Sequence, residues 1–166
     1  DGLGAAIGVE LAANGSLPVA SLVCVGSVGP FISLTSEIDE LTQITTGKAR
    51  RQFDTTGYAP EPDEKMMRKA FSHWVTTDPR ATLGARKAQA EWNSQVDLSK
   101  VACTTIVAIG THTEEGSKVN SLSFAEQLEL SQIVMIEGAG RHSAQEVPSD
   151  FCAVIRDSIT ESSTAS

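Results

Sequence analysis

Two apolar runs set the limits on this chain. Val19-Ala20-Ser21-Leu22-Val23-Cys24-Val25 and Val101-Ala102-Cys103-Thr104-Thr105-Ile106-Val107-Ala108-Ile109 are β-branched, polar on neither face, and closed by Gly26 and Gly110. A strand with one wet face alternates polar and apolar residues. A run without that alternation reads as an interior strand of a parallel sheet, covered by helices on both sides. A shorter run, Ser131-Gln132-Ile133-Val134-Met135-Ile136, ends in Glu137-Gly138-Ala139-Gly140 and gives a third strand. Strands alternating with helices imply right-handed crossovers and an α/β fold with a mainly parallel sheet flanked by helices. Three strands leave an open edge beside the first, where such sheets normally continue. The remaining strands are expected before Asp1, from a missing N-terminal segment or a second polypeptide.

The segments between the strands read as helices. Ala5-Ala6-Ile7-Gly8-Val9-Glu10-Leu11-Ala12-Ala13 is small and apolar on nearly all faces, and Asn14-Gly15 supplies a left-handed stop. Residues 32–93 change character, with more charge and three helix starts at Thr35-Ser36-Glu37, Pro62-Asp63-Glu64 and Asp78-Pro79. Thr55 to Pro62 is a breaker-rich loop. This stretch is expected to be a helical cap inserted between strands, with 1–31 and 94–160 forming the core. Ser123-Phe124-Ala125-Glu126 matches a capping box and predicts a helix start there. A last helix is expected from Pro148, carrying Phe151, Cys152, Val154, Ile155 and Ile159 at helical spacing, before a flexible Ser/Thr-rich tail at 161–166.

Charge and cysteine usage remove several function classes. The 166 residues carry 21 acidic against 13 basic side chains, a formal charge of −8. Such an excess repels a phosphate backbone or an anionic membrane surface, so neither nucleic acid nor membrane is expected as a partner. No run approaches the roughly 18 to 20 apolar residues that cross a bilayer. The three cysteines, Cys24, Cys103 and Cys152, are odd in number, far apart and set in apolar runs. That pattern fits reduced core thiols, a cytoplasmic setting, and neither a zinc framework nor another metal site. No cofactor motif stands out.

The order of motifs resembles the C-terminal half of an α/β-hydrolase, from the nucleophile elbow onward. Asp1-Gly2-Leu3-Gly4-Ala5-Ala6-Ile7-Gly8-Val9-Glu10-Leu11-Ala12 is similar to the Gly-x-Ser-x-Gly elbow and its helix. Leu22 to Pro30 resembles the next strand and its exit. Glu137-Gly138-Ala139-Gly140-Arg141-His142-Ser143 resembles the histidine loop, with an arginine inserted before the histidine, and Gln145 to Phe151 the segment opening the last helix.

The resemblance implies roles residue by residue. His142 takes the catalytic histidine's place, on a Gly-rich turn after a buried strand, where an imidazole can move a proton near neutral pH. His73, beside Trp74, reads as packing or surface, and His112 as a neighbour on the acid loop. In Gly110-Thr111-His112-Thr113-Glu114-Glu115-Gly116, Thr113 aligns with the family's aspartate and Glu114 stands one residue late. Glu114 is the candidate acid, and a solvated loop glutamate is the alternative. Gly2 falls at the nucleophile position and has no side chain with which to attack a carbonyl. The backbone N–H of Leu3 would be an oxyanion donor. Phe31, Trp74 and Met67, with Phe53, Tyr58 and Met66, are candidates to line an apolar substrate pocket.

The function implied is hydrolysis of a small apolar ester, lactone or related acyl compound by an esterase or lactonase type of enzyme. The alternative is a non-catalytic, hydrolase-like protein that binds a small ligand or a partner. Loss of both the serine and the aspartate is what the alternative predicts.

Overall fold

The computed structural model describes residues 2–26, 34–92 and 96–164. Asp1 and Phe31 lie outside them. Among the described residues the elements run α1 (Leu3–Asn14), β1 (Ser21–Val25), α2 (Thr35–Thr45), α3 (Glu64–Thr76), α4 (Pro79–Glu91), β2 (Thr104–Gly110), α5 (Glu115–Glu126), β3 (Ser131–Ile136), α6 (Ser143–Glu146) and α7 (Pro148–Thr164). The strands form one parallel sheet in the order β1-β2-β3, with Val23 opposite Ile106 and Val107 opposite Ile133.

β2 is the centre, buried from Thr105 to Gly110. Its alternation sends Val107 and Ile109 to one face, against Ala5 and Val9 of α1 and Phe124 and Ala125 of α5. Ile106 and Ala108 go to the other, against Phe151, Val154 and Ile155 of α7. A doubly covered strand has no wet face to mark with polar residues, which is why its sequence lacks alternation. Burying each of Ile106 and Ile109 contributes roughly 2–3 kcal/mol.

The structure departs from expectation at five places. β1 is parallel, as read, but stands at an edge of the described sheet, where only Cys24 is fully buried. The Ser123–Glu126 spacing does not start a helix. It falls in the last turn of α5, because a Ser-x-x-Glu pair recurs at the same spacing inside any helix, and this one begins eight residues earlier at Glu115. Helix α7 runs to Thr164, so the expected tail is helical as far as that residue. Cys152 is exposed, since Phe151, Val154 and Ile155 take the inward face of α7, and only Cys24 of the three free thiols is buried. Burial pushes the Cys24 thiol up to about 11. The four-residue α6 is too short to leave a periodic signal.

Of the three helices between β1 and β2, α3 and α4 start where their caps are written. Asp63 accepts from the Met66 N–H at 2.7 Å and Asp78 from the Arg80 N–H at 2.8 Å. Only α2 differs, with Leu34 at its N-cap and no side-chain cap bond. Helix α4 packs on α2 and touches α1, which brings the insertion over the start of the chain.

Candidate functional site

The loops that leave β2 and β3 are tied together by backbone. The Thr111 N–H donates to Ile136 O at 3.0 Å and the His112 N–H to Ala139 O at 2.8 Å. Gly110 lies so close to the backbone of Ala139 and Gly140 that a side chain there would overlap it. Gly140 in turn sits on the loop before α3, where an added Cβ would stand 2.6 Å from Gly57 O. The Arg141 N–H donates to that same carbonyl at 2.8 Å. Glu146 clasps the two loops, one carboxylate oxygen taking the Ala59 N–H at 2.6 Å and the other the Gly140 N–H at 2.8 Å.

His142 is held at the end of this clasp. It is the N-cap of α6, its carbonyl accepting from the N–H groups of Gln145 and Glu146, and its ring lies 4.5 Å from that of Tyr58. Burial lowers its pKa below the usual 6.5, and the neighbouring Arg141 guanidinium lowers it further. Glu146, Glu114 and Asp54 pull weakly the other way. The imidazole is therefore neutral at physiological pH and able to accept a proton. Among the described residues no hydrogen bond reaches its ring nitrogens.

The acid position is split. Thr113 is buried, and its hydroxyl has no hydrogen-bond partner among the described residues. Glu114 is exposed at the N-cap of α5, makes no side-chain cap bond, and acts on His142 only as a weak, distant charge. The structure thus brings Glu114 into the electrostatic range of the imidazole without bonding the two. Glu146, which sequence reasoning missed, exerts the larger pull, yet both its oxygens are committed to backbone.

Gly2 makes a sharp turn into α1. Its φ of 52° and ψ of −122° form a turn that L residues enter only under strain, and α1 begins at the next residue. Leu3 therefore occupies the first helical position, where a backbone N–H has no acceptor within the helix. The space a side chain would take at residue 2 is filled from α4. A Cβ on Gly2 would lie 2.9 Å from Nε2 of Gln89, a polar side chain only 3% exposed. Gln89 Oε1 accepts from Arg86 at 2.8 Å, and Arg86 pairs with Glu37 at 2.9 Å.

A cavity of about 850 Å³ lies between the helical insertion and the histidine loop. His142 and Arg141 form one side, and Tyr58, Phe53, Met66 and Trp74 form much of the other. Trp74 is fixed by Phe53 and Phe71 and by the Arg51 guanidinium 4.5 Å over its ring. Arg51 also donates to the carbonyls of Trp74 and Thr77, both at 2.7 Å. Met67 does not line the cavity: Met66, Ala70, His73 and Trp74 share the facing side of α3, and Met67 is one residue further round. His73, read as packing or surface, does line it. Gly2, Leu3 and Glu114 are not among the lining residues. Gly2 adjoins the cavity through Gln89 and the lining residue Arg86.

No protein-family model and no curated protein sequence matches the chain. Solved structures match it closely in shape. MenH from S. aureus superposes with a TM-score of 0.72 at 14% identity, over 97% of this chain and 66% of that one. An esterase from Exiguobacterium antarcticum gives 0.72 at 15% identity, over 94% and 63%. Est816, described as an N-acyl homoserine lactone degrading enzyme, gives 0.65 at 16% identity, over 93% and 63%. The chain has the α/β-hydrolase fold. It spans less than two thirds of the length of these neighbours. No helix among the described residues is long and apolar enough to cross a membrane.

Proposed function

We propose that the cavity is the substrate site of an α/β-hydrolase-type protein for small esters, lactones or related acyl compounds, and that His142 is its reactive group. The observation that carries the reading is the placement of a neutral imidazole on the cavity wall, on a loop clasped by Glu146 to the helical insertion. Because residue 2 has no side chain, no acyl-enzyme forms there. Hydrolysis then runs with His142 as general base. The imidazole takes a proton from water, the water oxygen bonds to the acyl carbon, and the collapsing tetrahedral intermediate expels the alcohol oxygen, which receives the proton from the imidazolium. The Leu3 N–H is the oxyanion donor in this reading. The helical insertion acts as the cap. Strands from a further segment or a second polypeptide extend the sheet beyond β1, a reading supported by that strand's open edge among the described residues.

The filling of the nucleophile's space by Gln89 and the unpartnered Thr113 hydroxyl favour a second reading, in which the pocket binds such compounds without turnover. A panel of p-nitrophenyl esters with acyl chains of two to eight carbons separates the two. The first reading expects slow turnover without a burst, reduced at least tenfold in His142→Ala. Turnover equal in both proteins refutes it. Saturable binding with no turnover leaves the second.

A further inference from the structure

Arg141 is half-buried on the cavity wall next to His142. Its guanidinium packs on Gly57, where an added Cβ would meet it at 2.9 Å and His142 Nε2 at 3.1 Å. In a chain with 21 acids to 13 cations, a half-buried guanidinium ordinarily finds a carboxylate. Arg141 does not. Among the described residues no ion pair within 4.0 Å and no side-chain hydrogen bond engages it. The acids around it are occupied: Glu146 by two backbone N–H groups, and Asp54 by the N–H and hydroxyl of Thr56. The other arginines on the cavity wall are also engaged, Arg86 by Glu37 and Gln89, Arg51 by two carbonyls and the Trp74 ring. Arg141 therefore presents five unspent donors in a planar fork on a cavity wall that Tyr58 and Trp74 also line.

Resting on the cavity being a ligand site, we propose that it takes small organic compounds bearing a carboxylate, and that Arg141 is the anchor of that carboxylate. One planar guanidinium matches one carboxylate in a two-bond arrangement, and Phe53, Tyr58, Met66 and Trp74 on the wall accept the compound's body.

The test is isothermal titration of the protein with 3-phenylpropionate and with its neutral isostere 3-phenylpropanamide. The wild type is expected to bind the carboxylate at least tenfold more tightly. Arg141→Met should abolish that gap while leaving the amide's affinity unchanged, and Arg141→Lys should restore part of it. Raising the salt concentration on the wild type should weaken the carboxylate alone, a readout independent of any variant's folding. Saturation with the carboxylate should raise the His142 midpoint, followed by NMR, because the bound anion offsets the guanidinium. Equal affinity for the two compounds in the wild type, or a gap that survives Arg141→Met, overturns the anchor while leaving the pocket intact. Absence of binding by both compounds overturns the anchor together with the pocket.

Discussion

In the proposed reading the Gly2 turn and the His142 loop are the two parts of this fold that chemistry would need to meet, and they offer opposite things. At Gly2 there is a sharp turn without a side chain, and Gln89 of α4 fills the space one would take. At His142 the side chain is present, and an elaborate set of backbone contacts holds it: Gly110 on Gly140, Gly140 on Gly57, Glu146 across both loops. The contrast teaches that the shape of a site and its reactivity rest on different residues. A turn made by glycine needs no side chain, whereas an imidazole on a loop stays in place only through a supporting shell.

If the histidine loop depends on that shell, the largest effect should come from Gly140→Ala. Its Cβ would meet the Gly57 carbonyl and the Tyr58 backbone, which cannot rotate away as a side chain can. A loss of about 3 kcal/mol is expected, read from the midpoint of urea unfolding. An unchanged midpoint would show that the two loops do not abut.

Glu146→Gln ranks next. The amide offers one oxygen where the carboxylate offered two, so either the Ala59 or the Gly140 N–H faces an NH₂ group. The expected cost is about 1–3 kcal/mol, with faster amide exchange at the abandoned N–H. Equal protection of both amides in the variant would remove Glu146 from the account.

The pH dependence sharpens the same comparison, because the histidine loop carries a shifted imidazole and Gly2 has no side chain to titrate. His142 has its folded pKa below the usual 6.5, so the unfolded chain binds the proton more readily. Its contribution leaves stability flat above about 6.5 and lowers it as pH falls from there toward the folded midpoint. NMR titration should place the His142 midpoint below 6.5, and Arg141→Met should raise it. A midpoint above 6.5 contradicts the burial described here. The smallest effect is expected at Thr113→Val, which removes a buried hydroxyl with no partner and should change stability by less than about 1 kcal/mol, in the stabilising direction.

How much of this could be read in the sequence depends on the separation of the residues involved. β2 was legible because a buried strand writes its burial into consecutive residues, and α3 and α4 because Asp63 and Asp78 cap them locally. His142 was legible through the glycines around it. Glu146 was not, since the contacts that give it a role join the loop near residue 59 to the loop near residue 140. Gln89 escaped for the same reason: a glutamine in a helix carries no mark of the glycine it will cover from 87 positions away. Met66 and Met67 are adjacent, and choosing between them requires the helix's rotation, which only packing decides. The inserted arginine was visible, but its lack of a partner is a property of the folded neighbourhood.

In the proposed reading residue 2 has an elbow's backbone and lacks only its side chain. That reading is tested most directly by intact-mass analysis after treatment with a fluorophosphonate, which labels activated serines. The wild type should remain unlabelled. The pair Gly2→Ser with Gln89→Ala, which supplies the hydroxyl and clears its space, should gain one adduct at residue 2 and lose it when His142→Ala is added. One equivalent of label on the wild type, or a double variant that stays unlabelled while folded, would contradict the account.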